Sequence, residues 1–359
     1  MKKFYLYFLL LGFISSLEAY SQSTTAPKYS NEFLAIGVGA RALGMANVQV
    51  ALVNDVTAGY WNPAGLTGIK SKYEVSYMHA EWFSSIGKYD YLGFATRIDS
   101  QSVLGLTAIR FGVDNIPNTL SLFDANGAIN YSNITYFSAA DYAFLVTYAR
   151  KSKVIPGLSL GGSVKIIYLV VGEFANAWGF GLDGGLQYNK NGWSVGALLR
   201  DATSTFNLWS FNTASFKDAF AQTGNTLPTS STEITLPRLI VGGGKYLSFF
   251  KKFGIVPAID LVMTFDGRRN TIVQTNLMSL DPTIGFEANY LKIIYIRAGL
   301  GNTQYLKNYD GSTYITVQPS FGIGVKIKRI SLDYALTNNV GSLAQGLYSN
   351  VFSLKVSLF

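Results

Sequence analysis

The stretch "LSLGGSVKIIY", Leu158–Tyr168, decides the fold class. Leu158, Leu160, Val164, Ile166 and Tyr168 fall on one face, and Ser159, Gly161, Ser163 and Lys165 on the other. Successive side chains of a strand point to opposite faces, so this is a strand between an apolar and a polar environment. "RISLDYALT" repeats the pattern, with Ile330, Leu332, Tyr334 and Leu336 set against Ser331, Asp333, Ala335 and Thr337. "VFSLKVSLF" ends the chain with Phe352, Leu354, Val356 and Leu358 against Ser353, Lys355 and Ser357. By strict alternation Phe359 falls with Ser357 and Lys355, off the apolar face.

Fourteen such segments follow Ser71. They lie at 73–82, 89–98, 102–112, 142–150, 158–170, 177–188, 193–200, 234–247, 254–264, 282–290, 292–301, 313–326, 329–338 and 350–359. Short connections, such as 99–101 and "NKNG" at Asn189–Gly192, alternate with long ones at 113–141 and 201–233. Transmembrane barrels have this plan: an even strand number, short periplasmic turns and long outer loops. A crossing strand needs about 9–11 residues. A closed barrel pairs all its backbone groups in lipid, where an open sheet cannot. A soluble β-sandwich would explain the period of two but not the ordered loop lengths. The expected fold is therefore an all-β, transmembrane antiparallel β-barrel of about 14 strands, in outer-membrane lipid, with both termini periplasmic.

Composition agrees. The chain is 48% hydrophobic and 14% charged, with 36 Gly and no Cys; a soluble domain has about 25% charged residues. Lys2, Lys3, the apolar run Phe4–Ile14 and the small residues Ala19 and Ser21 predict a signal peptide over 1–21. The run is too short to span a bilayer, and no later apolar run of about 18 residues predicts a spanning helix. Removing Lys2, Lys3 and Glu18 takes the net charge from +8 to +7. On an exported chain this reads as scattered charge, and no nucleic-acid partner is expected.

Residues 22–72 precede the first strand and contain "FLAIGVGARALGMANVQVALVNDVTAGYWNPAGL", Phe33–Leu66. "GVGARALG" is not a dinucleotide fingerprint, because Ala42 stands where the third glycine is required. In "GYWNPAGL", Pro63 fixes its own φ, turns Asn62 away from helix, and is followed by the permissive Gly65. The pieces "IGVGARALGMA" and "VALVNDVTAGYWNPAGL" resemble the N-terminal signature of the PorV/PorQ family, and "NPAGL" resembles the wider FadL-like barrels. The resemblance implies a FadL-like fourteen-stranded barrel over 73–359, with 22–72 folded into the lumen as a hatch.

It also implies a role in type IX secretion, as a cargo-binding shuttle or accessory component. The implied partners are the translocon, the attachment complex or the C-terminal signal domains of cargo. The alternative is a FadL-like channel for small hydrophobic molecules. Arg41, Gly44, Asp55, Tyr60, Trp61, Asn62, Pro63 and Gly65 are the hatch residues singled out, all expected to be structural. Arg41 and Asp55 read as a buried pair that fixes geometry. Tyr60 and Trp61 read as packing against the wall, and Asn62–Pro63 as the turn that leads the chain into it.

No enzyme chemistry is proposed by the spacing. The single histidine, His79, lies in a strand, and no H-E-x-x-H or Cys–His arrangement exists. The acidic residues are scattered, so neither a metal nor a cofactor is expected. The 201–233 connection carries Phe206, Leu208, Trp209, Phe211, Phe216 and Phe220. Exposed apolar clusters mark interaction sites; these aromatics either bind a partner or fold inward over the mouth.

Overall fold

Alternation along the sequence closes into a cylinder. The computed structural model describes residues 30–123, 126–337 and 349–359; the expected signal peptide, 1–21, and the start of the expected hatch, 22–29, lie outside the described residues. In chain order the strands are β1 (Tyr73–Trp82), β2 (Gly87–Arg97), β3 (Ser102–Asn118), β4 (Thr135–Lys151), β5 (Leu158–Val171) and β6 (Ala175–Lys190). Next come β7 (Trp193–Arg200), β8 (Thr205–Phe211), β9 (Ser231–Thr235), β10 (Arg238–Lys245), β11 (Leu247–Phe249) and β12 (Phe253–Thr264). The last are β13 (Val273–Gln274), β14 (Ser279–Tyr290), β15 (Ile294–Lys307), β16 (Thr313–Ile327), β17 (Ile330–Thr337) and β18 (Ser349–Leu358).

Fourteen of these form a closed antiparallel wall, in which β1 pairs with β18 from Tyr73↔Leu358 to Glu81↔Asn350. The other four are extensions: β8 and β9 continue β7 and β10 past a break, β11 prolongs β10, and β13 adds one short pairing to β14. The predicted segments agree with the wall strands to within a few residues, apart from the ends that lengthen β3, β4 and β15. Segment 234–247 divides at Leu236–Pro237 into β9 and β10, because proline has no N–H for the ladder.

Two expected loops are partly wall. The 113–141 connection shrinks to 119–134 because β3 and β4 run on. The 201–233 connection holds β8, a helical turn Thr213–Ser215, a helix Lys217–Thr223 and the start of β9.

The two faces differ as the alternation requires. Along β5, Leu160, Val164 and Ile166 are exposed while Ser159, Ser163, Lys165 and Ile167 are buried toward the lumen. Aromatic side chains bracket the outer apolar band, as in membrane barrels. Tyr142 stacks on Tyr168 at 6.2 Å between ring centroids, and Tyr168 on Trp178 at 4.6 Å. Along the same register row the outer face also carries polar pairs on β1–β3: His79 and Asp90 bond at 2.7 Å, and Lys88 and Asp114 lie close by at 3.1 Å. Phe359 leaves the strand altogether. Its φ is 58° and its carbonyl accepts from Lys72 N at 2.9 Å, so alternation does not govern where its ring points.

Candidate functional site: the hatch and the break in the wall

Residues 30–72 fill the lumen a few residues inside the rim that carries Phe359. Four short turns build this hatch: Glu32–Ala35, Ala40–Leu43, Ala58–Trp61 and Pro63–Gly68. Its backbone lies directly on the wall where the facing residue is glycine. A Cβ on Gly161 would sit 2.5 Å from the Pro63 carbonyl carbon, and one on Gly299 would sit 2.3 Å from that of Met45. Neither distance is sterically possible, so these positions admit only glycine unless the hatch moves.

The motif residues are held as follows. Asn62 is fully buried and donates to Val50 O at 2.7 Å and Leu186 O at 3.0 Å, while its Oδ1 accepts from Ala64 N. That side chain caps the 3₁₀ turn that Pro63 opens. Thus Asn62–Pro63 docks the hatch against β5, β6 and β7; it does not lead into the wall, which the chain enters at Tyr73. A Cβ on Gly65 would meet Val53 O at 2.5 Å, and Gly44 packs on Gly322. Trp61 donates to Val38 O at 2.8 Å. The Tyr60 hydroxyl donates to Leu34 O, and the Arg200 guanidinium lies 4.6 Å from the Tyr60 ring centre.

Arg41 and Asp55 are not bonded to each other; each takes a partner from the wall. Arg41 Nε donates to Glu287 at 2.9 Å, Arg297 donates to the same carboxylate at 2.8 Å, and Arg297 also reaches Asp333 at 2.6 Å. Asp55 pairs with Lys355 and accepts from Thr57 N at 3.0 Å. Burial alone would raise the Asp55 carboxyl. The charges of Lys355 and Arg41 outweigh it and hold the group well below the usual carboxylate range. Asp260 accepts from the backbone N–H groups of Gln49 and Val50 at 2.8 and 3.0 Å. These wall charges were legible only as polar-face positions, because nothing in a strand shows that a hatch will meet it.

The ionic side of the hatch borders a cavity of about 270 Å³ that reaches toward the rim, lined by Arg41, Glu287, Arg297, Asp333 and Lys355 among others. A second, much smaller cavity behind shares Arg41, Asp333 and Lys355. This ion-paired layer therefore lies between two cavities that share its charged side chains.

The wall breaks once between β7 and β8. From Gly184↔Leu199 to Phe180↔Phe206, three residues of β6 face six residues of its neighbour. Asp201 and Ser204 absorb the excess in left-handed backbone, φ 55° and 59°. A buried cluster fixes the bend: Lys165 Nζ lies 2.8 Å from Asp183 and also pairs with Asp201, whose N–H donates to Asp183 at 2.8 Å. Beyond the break β9 pairs with β8, and its other edge has no strand partner among the described residues.

The aromatics of 201–233 divide between the two faces. Phe206 and Leu208 are exposed on the outside of β8. Trp209 and Phe211 stack at 6.2 Å on the inner side, and Trp209 packs against the lumen core with Phe33, Leu34, Trp82 and Tyr89. Phe216 is buried beside Phe174 and Phe220. The five residues grouped as a partner surface therefore do not form one outward patch. Trp82 Nε1, Tyr89 OH and Trp209 Nε1 are buried without a hydrogen-bond partner among the described residues.

No family model matches the chain, and no curated protein matches it. Among solved structures it is similar to the CymD monoaromatic hydrocarbon channel: TM-score 0.56, 16% identity, 90% of this chain and 98% of that one. It is similar to the Ralstonia pickettii toluene transporter TbuX at TM-score 0.53, 15% identity, 90% and 99% coverage. A Pseudomonas aeruginosa FadL homologue follows at TM-score 0.51, 11% identity, 93% and 100% coverage. The chain has the fold of FadL-like outer-membrane barrels. These similar barrels are a hydrocarbon channel, a toluene transporter and a FadL homologue.

Proposed function

We propose that the protein is an outer-membrane barrel that takes a small hydrophobic molecule at the mouth opposite the termini and releases it sideways at the wall break. The break carries this reading. It lies beside inward-facing Trp209, which packs against the apolar core that holds Trp82 and Tyr89, while the hatch fills the lumen. Such ligands suit apolar surroundings with a few polar groups, and three buried donors without a partner among the described residues lie in this apolar core. The hydrocarbons named for the similar barrels indicate the solute class.

The test removes the three excess residues, Ala202–Ser204, and measures uptake of labelled toluene by intact cells. Uptake should fall at least tenfold while heat-resistant barrel migration persists; unchanged uptake overturns the reading. The rim bearing Phe359 faces the periplasm on this reading. A Cys placed at Asn126 should then be labelled on intact cells, and one at Asn191 should not.

A second reading, an accessory role in type IX secretion, is favoured by the hatch stretch resembling PorV/PorQ. It predicts that Trp209→Ala with Phe211→Ala reduces co-purification of translocon components or cargo signal domains at least tenfold, leaving toluene uptake unchanged. The hydrophobic-channel reading predicts the reverse.

A further inference from the structure

We propose that the cavity at the terminal rim is a binding site for a compact polyanion carrying phosphate or carboxylate groups. This goes beyond the transport reading, since the charged groups of this cavity are not used by an apolar solute. Five cations and two carboxylates line the cavity. Arg41 and Arg297 share Glu287, Arg297 also reaches Asp333, and Lys355 is taken from behind by Asp55.

Two cations are left over, Lys292 and Lys326. Neither ammonium has a carboxylate within 4.0 Å among the described residues, and Lys292 only lies 5.6 Å from the Tyr246 ring centre. Lys326 occupies a lumen-facing position of β16, in register with Gly322 and Gly324, and Lys292 stands on the facing turn between β14 and β15. Glu74 and Asp55 act on Lys326 only from beyond ion-pair distance, so two cations without a directly paired carboxylate stand at the mouth of the cavity, where they focus potential on a counter-ion.

Asn289 adds an independent sign. Its side chain is 6% exposed, lines the same cavity, and its Oδ1 has no hydrogen-bond partner among the described residues. A protonated hydroxyl or carboxyl on the anion would satisfy that acceptor, and buried polar groups are rarely left unsatisfied. The volume of about 270 Å³ suits a solute the size of pyrophosphate or citrate rather than a polymer.

The test is calorimetric titration of the full chain in detergent with inorganic pyrophosphate and with citrate, at constant ionic strength. One saturable site for at least one probe is expected, and the stronger probe tells phosphate from carboxylate. Lys292→Gln with Lys326→Gln should weaken binding at least tenfold. Lys292→Arg with Lys326→Arg should stay within about threefold of the parent, which guards against a folding defect in the Gln pair. Lys328→Gln with Arg329→Gln, on the next turn of the same rim, should change it less than twofold. The proposal is overturned if neither probe saturates, or if both Gln pairs weaken binding alike, which would reveal diffuse rim charge. Toluene uptake should be unaffected by the Lys292 and Lys326 variants, so this result and the transport result stand or fall separately.

Discussion

The hatch meets the wall in two different ways on its two sides. Toward β3–β6 the contact is apolar and close: Val53, Ala58 and Leu66 of the hatch join Val103, Ala143, Ala149 and Ile167 of the wall in one buried cluster. Toward β14–β18 it is ionic: Arg41 and Asp55 engage Glu287 and Lys355, with cavities on both sides of the pairs. Apolar contact is stabilised by exclusion of water and is indifferent to pH. Buried ion pairs recover little more than their desolvation cost, but removing one partner is expensive. The apolar side therefore anchors the hatch, and the ionic side sets how readily it loosens.

The largest expected effect is on the anchor. Trp61 is 7% exposed and sits in the apolar cluster. Trp61→Ala should destabilise by about 3–5 kcal/mol, from lost transfer energy plus the cavity left behind. Urea titration of the folded barrel in lipid vesicles measures it. A loss under about 1 kcal/mol would mean that the hatch contributes little to barrel stability and that the two sides do not differ in this way.

A smaller effect is expected on the ionic side. Asp55→Asn leaves the Lys355 ammonium without its carboxylate, which costs about 3 kcal/mol, the low end for a broken buried pair, because the adjacent cavity admits water. Adding Lys355→Met removes the stranded charge and should recover most of that loss. The same titration decides it. If the double variant is no more stable than Asp55→Asn alone, the pair is not the element that matters there.

Wall and hatch were not equally legible in the sequence. The wall follows from a period of two, which physics enforces at every residue, so β1 and β7 coincide with their predicted segments at Tyr73–Trp82 and Trp193–Arg200. The break at Asp201–Ser204 left no such periodic mark, and its aromatics read as loop although β8 is paired to β6. What fills the lumen was also hidden. Ser163 and Ser353 look like open, polar-face positions, yet Ser163 lies 2.8 Å from Thr147 beneath the Gly59 carbonyl, and Ser353 accepts from Ala40 N at 2.9 Å. An Arg at Ser163 should therefore also be costly, by displacing the hatch. Val164→Arg is costly for a different reason, placing charge in lipid at about 2–4 kcal/mol near mid-membrane. The glycines were the available signal: Gly161 and Gly299 are lumen-facing positions with no side chain, where only a close-lying backbone explains the choice.

The smallest effect separates the two sides by pH alone. The Asp55 carboxyl is held below its ordinary value of 3.8 in the folded barrel. A depressed carboxyl stabilises the fold while it is ionised in the unfolded chain as well, so its contribution is complete above that ordinary value. As the pH falls through 3.8 toward the depressed folded value, the unfolded state takes up the proton first and the contribution drains away. Other carboxylates titrate in the same range, so the informative quantity is the stability difference between the parent and Asp55→Asn. That difference should be constant from pH 7 to about 5 and shrink steadily as acidification continues to about pH 3. The corresponding difference for Trp61→Ala should stay level throughout, because no proton is taken up by the apolar side. A parent-to-Asp55→Asn difference that is equally level down to pH 3 would show that the carboxylate is not ionised against Lys355, and the distinction between an anchored and a loosening side would fail.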